Sequence, residues 1–141
     1  MLRRDFMLLT ASISLLPALA PLGAQAAPLD YTPGLVEERL AAGETVFLDF
    51  MASWCSTCAA QEQVLDALKA ANPAYEAAVT FINVDWDQYG DDPLTLRLNI
   101  PRRSTLVVLK GEDELGRIVA GTATAEIQAL MDVAIGAATS S

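Results

Sequence analysis

Hydrophobic positions along this chain come in short blocks that alternate between strand-like and helix-like spacing. Thr45-Val46-Phe47-Leu48-Asp49-Phe50-Met51 is a β-branched and aromatic run, the pattern of a strand buried on both faces, and predicts a strand over Val46 to Met51. Val79 to Asp85 and Ser104 to Lys110 read as a second and a third strand, and the tight turn Gly111 to Glu114 joins the third to a fourth, Leu115 to Ala120. Helical spacing fills the gaps. Gly34 to Ala42 can place Leu35, Val36, Leu40 and the stem of Arg39 on one face, with Gly43 as a stop. Ser56 to Ala71 is a longer helix ended by Asn72-Pro73, and the fragment Ala74 to Ala78 leads into the second strand. A polar turn, Asp87 to Asp92, precedes a short helix from Pro93 to Leu98. The last helix, Thr124 to Ile135, buries Ile127, Leu130, Met131 and Ala134. Pro28 to Pro33 reads as a linker. Strands separated by helices, then a hairpin and a closing helix, predict an α/β fold with a central mixed four-stranded sheet flanked by helices on both faces.

The first 26 residues follow a different pattern. Arg3-Arg4 form a charged start, Phe6 to Ala20 is largely apolar, and Ala24-Gln25-Ala26 is a small-x-small cleavage site, so residues 1–26 read as an export signal. Arg3-Arg4-Asp5-Phe6-Met7 resembles the twin-arginine export motif, and the Sec route stays open as an alternative. An uncleaved anchor is disfavoured because Pro17, Pro21 and Gly23 interrupt the apolar run. Residues 27–141 are then one small domain. The chain has 9 basic and 18 acidic residues; without Arg3, Arg4 and Asp5, 7 and 17 remain, a net charge of −10. Such a surface argues against nucleic acid or an anionic membrane as a partner and favours a soluble monomer. There is no histidine, and two of the four methionines fall in the signal, so no metal site is expected.

Only two cysteines occur, in Trp54-Cys55-Ser56-Thr57-Cys58, where the first strand gives way to the long helix. A bridge across so short a loop would restrain the unfolded chain little, so stabilisation is a poor reason for it. Cys55 falls at the helix N-terminus, where unpaired N–H groups and the helix dipole favour the thiolate. With a second thiol one turn away, this is the minimal apparatus for thiol–disulfide exchange: Cys55 attacks and Cys58 resolves the mixed disulfide. No cofactor beyond the redox-active Cys55–Cys58 pair is needed.

Element order and motifs together resemble the thioredoxin superfamily over nearly all of residues 27–141. Leu48-Asp49-Phe50-Met51-Ala52-Ser53-Trp54-Cys55-Ser56-Thr57-Cys58 is similar to the family's acid–aromatic–x–Ala–x–Trp–Cys–x–x–Cys pattern. Ile82-Asn83-Val84-Asp85 resembles the end of the family's next central strand, and Ser104 to Gly111 the strand that carries its cis-proline. The resemblance implies a thioredoxin fold of the exported bacterial kind. It also implies a buried Asp49 that takes the proton from Cys58, and Trp54 shielding the attacking sulfur and contacting substrate. The lysine that often tunes this carboxylate from the neighbouring strand is matched here by Phe81. The cis-proline is matched by Ser104, with Arg102 and Arg103 before it. A trans bond is expected at Ser104, since a non-proline cis bond costs about 2.5–4 kcal/mol, and a shifted loop with cis Pro101 is the alternative. Without the proline the dithiol should be less covered, and Arg103, Ser104 and Thr105 become substrate-binding candidates. Either the two arginines favour the Cys55 thiolate and attract an acidic partner, or they form an ordinary solvated loop; the first is preferred.

The leading expectation is a periplasmic oxidoreductase passing electrons from a membrane thiol reductase to disulfides of exported proteins. A disulfide-forming oxidase is the alternative, weakened by the absence of histidine between the cysteines. A Cu(I) chaperone is a more distant one.

Overall fold

The computed structural model describes residues 27–140, so the export-signal reading of residues 1–26 lies outside the described residues. In chain order the elements are β1 (Leu29–Asp30), α1 (Leu35–Ala41), β2 (Thr45–Met51), α2 (Ser56–Ala71) and α3 (Ala74–Ala78). They continue as β3 (Thr80–Asp85), α4 (Trp86–Tyr89), α5 (Pro93–Arg97), β4 (Thr105–Lys110), β5 (Asp113–Val119) and α6 (Thr124–Thr139).

These strands form one mixed sheet in the order β1-β3-β2-β4-β5. The expected four-stranded sheet is therefore corrected to five strands. The additional strand comes from the segment read as a linker: Leu29 and Asp30 pair in parallel with Ile82 and Asn83, and the Tyr31 N–H donates to the Asn83 carbonyl at 2.8 Å. Two residues between prolines carry no periodicity, and what makes them a strand is the free edge of β3 beside them. The polar stretch after β3 also begins with a helical turn, α4, capped by the Asp85 carboxylate accepting from the Asp87 N–H. Helix α6 runs past Ile135 to Thr139.

β2 is central, parallel to β3 and antiparallel to β4, and its side chains alternate between two half-cores. Val46, Leu48 and Phe50 join Ile82, Val84, Val107 and Leu109 under Val36 and Leu94. Phe47 joins Phe81, Leu106 and Val108 under Leu65 of α2 and Ile127, Leu130 and Met131 of α6. Each such side chain, fully buried, contributes about 1.5–3 kcal/mol. The two-residue period puts Asp49 on the Phe47 face, beneath α2. Among the described residues no helix is long and apolar enough to cross a membrane.

Candidate active site

Past Met51, β2 leads through a short turn to Cys55, the N-cap of α2. Cys55 has an extended backbone, and its sulfur accepts the Cys58 N–H at 3.1 Å. A cap usually offers a hydroxyl or carboxylate oxygen to this donor; here a sulfur takes that place. Cys55 and Cys58 are joined in a disulfide, packed against Ala52, Met51 and Trp86. Their residues are 4 % and 3 % exposed, so exposure does not tell the two sulfurs apart. The asymmetry lies in donors: Cys55 Sγ holds a backbone N–H at the positive end of a helix.

Ser104 faces the disulfide from the start of β4. Its Oγ lies 3.1 Å from Cys55 Sγ and 3.1 Å from Cys58 Sγ. No cis peptide bond occurs among the described residues, so the Arg103–Ser104 bond is trans and the cis Pro101 alternative is set aside. The Ser104 hydroxyl thus lies against both sulfurs of the dithiol that is expected to be less covered. Ser104 has φ of 63°, in the left-handed region, and its backbone is fully engaged. The N–H donates to the Phe50 carbonyl at 2.7 Å, and the carbonyl accepts from the Ala120 N–H at 2.8 Å and from Gln61 Nε2 at 3.0 Å.

Gln61 is a residue the sequence reading missed. It is fully buried, and its amide also donates to the Gly121 carbonyl at 2.9 Å, tying α2 to the loops flanking β4 and β5. The buried stripe of α2 is Cys58, Gln61, Leu65 and Lys69, spaced by three and four residues. Extending the helical period from Cys58 is the signal that would have found both Gln61 and Lys69.

Asp49 is 8 % exposed, and one of its oxygens, Oδ1, is buried with no hydrogen-bond partner. Burial first, then the negative charge of Glu62, pushes its carboxyl up to about 7, against a smaller lowering by Lys69. Asp49, Cys58, Glu62 and Lys69 share a cavity of about 80 Å³. That is room for water to link the carboxyl with the sulfur. Lys69 stands over the Phe81 ring at 4.0 Å from its centre and pairs with Glu76 at 3.8 Å. Its own pKa is lowered by burial, opposed chiefly by Glu76. Phe81 pairs with Phe47 across β2 and β3, and the cation that acts on Asp49 arrives from the helix above it.

Trp54 is 59 % exposed, its indole N–H donating to the Asp87 carboxylate at 2.9 and 3.0 Å. The Arg103 guanidinium stacks 4.5 Å from the Trp54 ring centre, so Arg103, Trp54 and Asp87 form a surface group beside the disulfide. The sequence pattern places Asp87 only in a polar turn. Thr105 is fully buried, and its hydroxyl donates to the Arg102 carbonyl at 2.7 Å, which holds the loop rather than facing outward. The Arg102 Nε donates to the Arg103 carbonyl at 3.1 Å.

Comparison with known proteins agrees with this geometry. The thioredoxin family profile matches residues 32–133. No curated protein sequence matches the chain. Among solved structures, Trxlp from Edwardsiella tarda is similar at 25 % identity and a TM-score of 0.63, covering 77 % of this chain and 98 % of its own. Malassezia sympodialis thioredoxin (Mala s 13) is similar at 22 % identity and a TM-score of 0.60, over 78 % of this chain and 96 % of its own. The germline-specific thioredoxin Deadhead of Drosophila shares 23 % identity at a TM-score of 0.59, over 76 % of this chain and 97 % of its own. A profile match over most of the chain, on a fold that brings Cys55 and Cys58 together at the start of α2, places the chain in the thioredoxin family as a thiol–disulfide oxidoreductase whose redox centre is that pair.

Proposed function

We propose that this protein is an exported, periplasmic thioredoxin-like reductase that keeps disulfides of other exported proteins in exchange, with electrons from a membrane thiol reductase. The observation that carries the chemistry is the Cys55 sulfur capping α2, with Cys58 against the Asp49 cavity. Cys55 is the nucleophile, Cys58 the resolving thiol and Asp49 the base that accepts the Cys58 proton. A carboxyl near pKa 7 is matched to that task at neutral pH. Trp54 and Arg103 form the substrate-facing rim, and Ser104 stands where thioredoxins carry cis-proline. Export rests on the pattern of residues 1–26, and the reducing direction on the absence of a histidine beside the thiolate.

Two measurements test this reading. A Cys58→Ser variant, expressed in a Gram-negative host with its signal, should accumulate mixed disulfides through Cys55 with exported proteins. The Cys55–Cys58 couple should have a potential nearer to that of thioredoxin, about −270 mV, than to that of strong oxidases, about −120 mV. A strongly oxidising couple would reverse the direction of electron flow, and a Cys58→Ser protein retained in the cytosol would remove the compartment.

A further inference from the structure

We propose that the Ser104 hydroxyl is a catalytic hydrogen-bond donor shared by the two sulfurs, serving the Cys55 thiolate in the free reduced protein and the Cys58 thiolate in the mixed disulfide. This rests on the reading that Cys55 attacks and Cys58 resolves.

The argument begins with supply and demand. Ser104 is 0 % exposed, so its hydroxyl is shut off from bulk solvent. Its N–H and carbonyl are spent on Phe50, Ala120 and Gln61. Among the described residues the only acceptors within reach of Oγ are the two sulfurs, at 3.1 Å each. Disulfide sulfurs are neutral and weak acceptors, whereas a thiolate is an anion, and charge-assisted bonds are roughly twice as strong as neutral ones. The hydroxyl therefore gains more from the reduced state than from the oxidised one. Its position does not depend on the sulfurs, because the backbone bonds and the Gln61 amide hold Ser104 in place. Rotation about a single Cβ–Oγ bond moves the proton from one sulfur to the other.

Each step of the exchange uses that rotation. Cys55 thiolate attacks one sulfur of a substrate disulfide, forming the Cys55–substrate bond and releasing the other substrate sulfur as a thiolate. Cys58 then gives its proton to Asp49 by way of their shared cavity. Its sulfur attacks Cys55 Sγ, closing the Cys55–Cys58 bond and releasing the second substrate thiolate. Two electrons pass from the dithiol to the substrate. Ser104 keeps its own proton throughout, and its hydrogen bond follows the negative charge.

Three variants separate the hydroxyl from the backbone. Ser104→Gly removes the hydroxyl and accepts the left-handed φ without strain, and Ser104→Ala removes it with an ordinary Cβ. Ser104→Thr keeps the hydroxyl on a β-branched residue that this φ disfavours. Thiolate absorbance against pH and the redox equilibrium with glutathione are read for each. The Gly and Ala variants should raise the Cys55 pKa by about one unit and move the equilibrium about tenfold toward the disulfide, ~30 mV. A folded Thr variant should stay within about threefold of wild type, and should it not fold, the Gly and Ala pair decides. An unchanged Cys55 pKa and equilibrium in the folded Gly variant overturns the proposal, as does a folded Thr variant shifted as far as Gly. Reduction of insulin disulfides by the wild type is followed in parallel. Its absence would count against the exchange reading alone, since the Ser104 proposal is judged on the pKa.

Discussion

Asp49 is the residue whose chemistry most directly follows from its surroundings. Its carboxyl is raised from 3.8 to about 7 by burial and by Glu62, so the native protein holds a proton there that the unfolded chain releases. Between these values the folded state binds more protons than the unfolded one. Stability is therefore lost as pH rises from about 4 to about 7 and stays low above it. The chain has no histidine and the disulfide does not titrate, while Glu37, held low by its hydrogen bond from Arg97, has the opposite slope at the acid end of the window. Asp49→Asn in the oxidised protein should raise the Tm more at pH 8 than at pH 5, and should flatten the pH dependence between them. Equal gains at both pH values would mean that the carboxyl titrates normally. Lys69 works against burial by lowering the same pKa. Lys69→Met keeps a long stem on the Phe81 ring but removes the charge, so the Asp49 pKa should rise further. The pH–rate profile for release of substrate from the mixed disulfide should then move to higher pH. A profile that stays in place would separate Lys69 from the proton route.

At the scale of the element, α2 is the part that turns a fold into a site. Its N-cap is the attacking sulfur, its first turn carries the resolving sulfur, and its buried stripe continues through Gln61 and Leu65 to Lys69. One helix face thus reaches the disulfide, the Ser104 loop and the Asp49 carboxyl in succession. Gln61 binds that face to the rest by donating to the carbonyls of Ser104 and Gly121. Gln61→Leu fills similar volume but removes both bonds, and it also removes a buried Oε1 that has no hydrogen-bond partner. The Ser104 carbonyl keeps its bond from Ala120, whereas the Gly121 carbonyl loses its Gln61 donor. The Gly121 carbonyl is only part-buried, so the expected cost is about 0.5–1.5 kcal/mol in denaturant unfolding, the net value of a hydrogen bond. Unchanged stability would show that the loops hold Ser104 without help from the helix.

For the whole molecule, charge and the sheet set how a partner arrives. The disulfide lies at the C-terminal end of β2, where the parallel neighbour β3 also ends and α4 begins. Around it sit Trp54, Arg103 and Asp87, and residues 27–141 carry a net charge of −10. Arg102 and Arg103 are two of seven basic residues in that span, and steering by charge acts mainly on association and weakens with salt. Changing both to Gln should slow reaction with an acidic protein disulfide severalfold at low ionic strength, with the difference fading at high salt. Reaction with a small neutral disulfide should change less. Equal rates for variant and wild type at every salt concentration would leave Arg103 only its packing against Trp54 and Arg102 only its bond to the Arg103 carbonyl.

Much of this was legible in the chain alone, and the physical reason is locality. Cys55, Cys58, Trp54 and Asp49 lie within ten residues of one another, on a strand and a helix whose periods are written in neighbouring side chains. The thioredoxin fold, the trans bond at Ser104 and the redox pair follow from such short-range patterns and from the resemblance they carry. The fifth strand was not legible, because Leu29 and Asp30 become a strand only against the edge of β3. That Ser104 stands opposite the disulfide followed from the resemblance, but not that its hydroxyl, 46 residues from Cys58, bonds both sulfurs. Gln61 and Lys69 had the right spacing, but a polar residue on a helix reads as solvent-facing until another element covers it. Beyond Asp49, whose burial the resemblance implied, the tertiary structure alone decided which polar groups were buried, and with that which of them could hold a hydrogen bond at the disulfide.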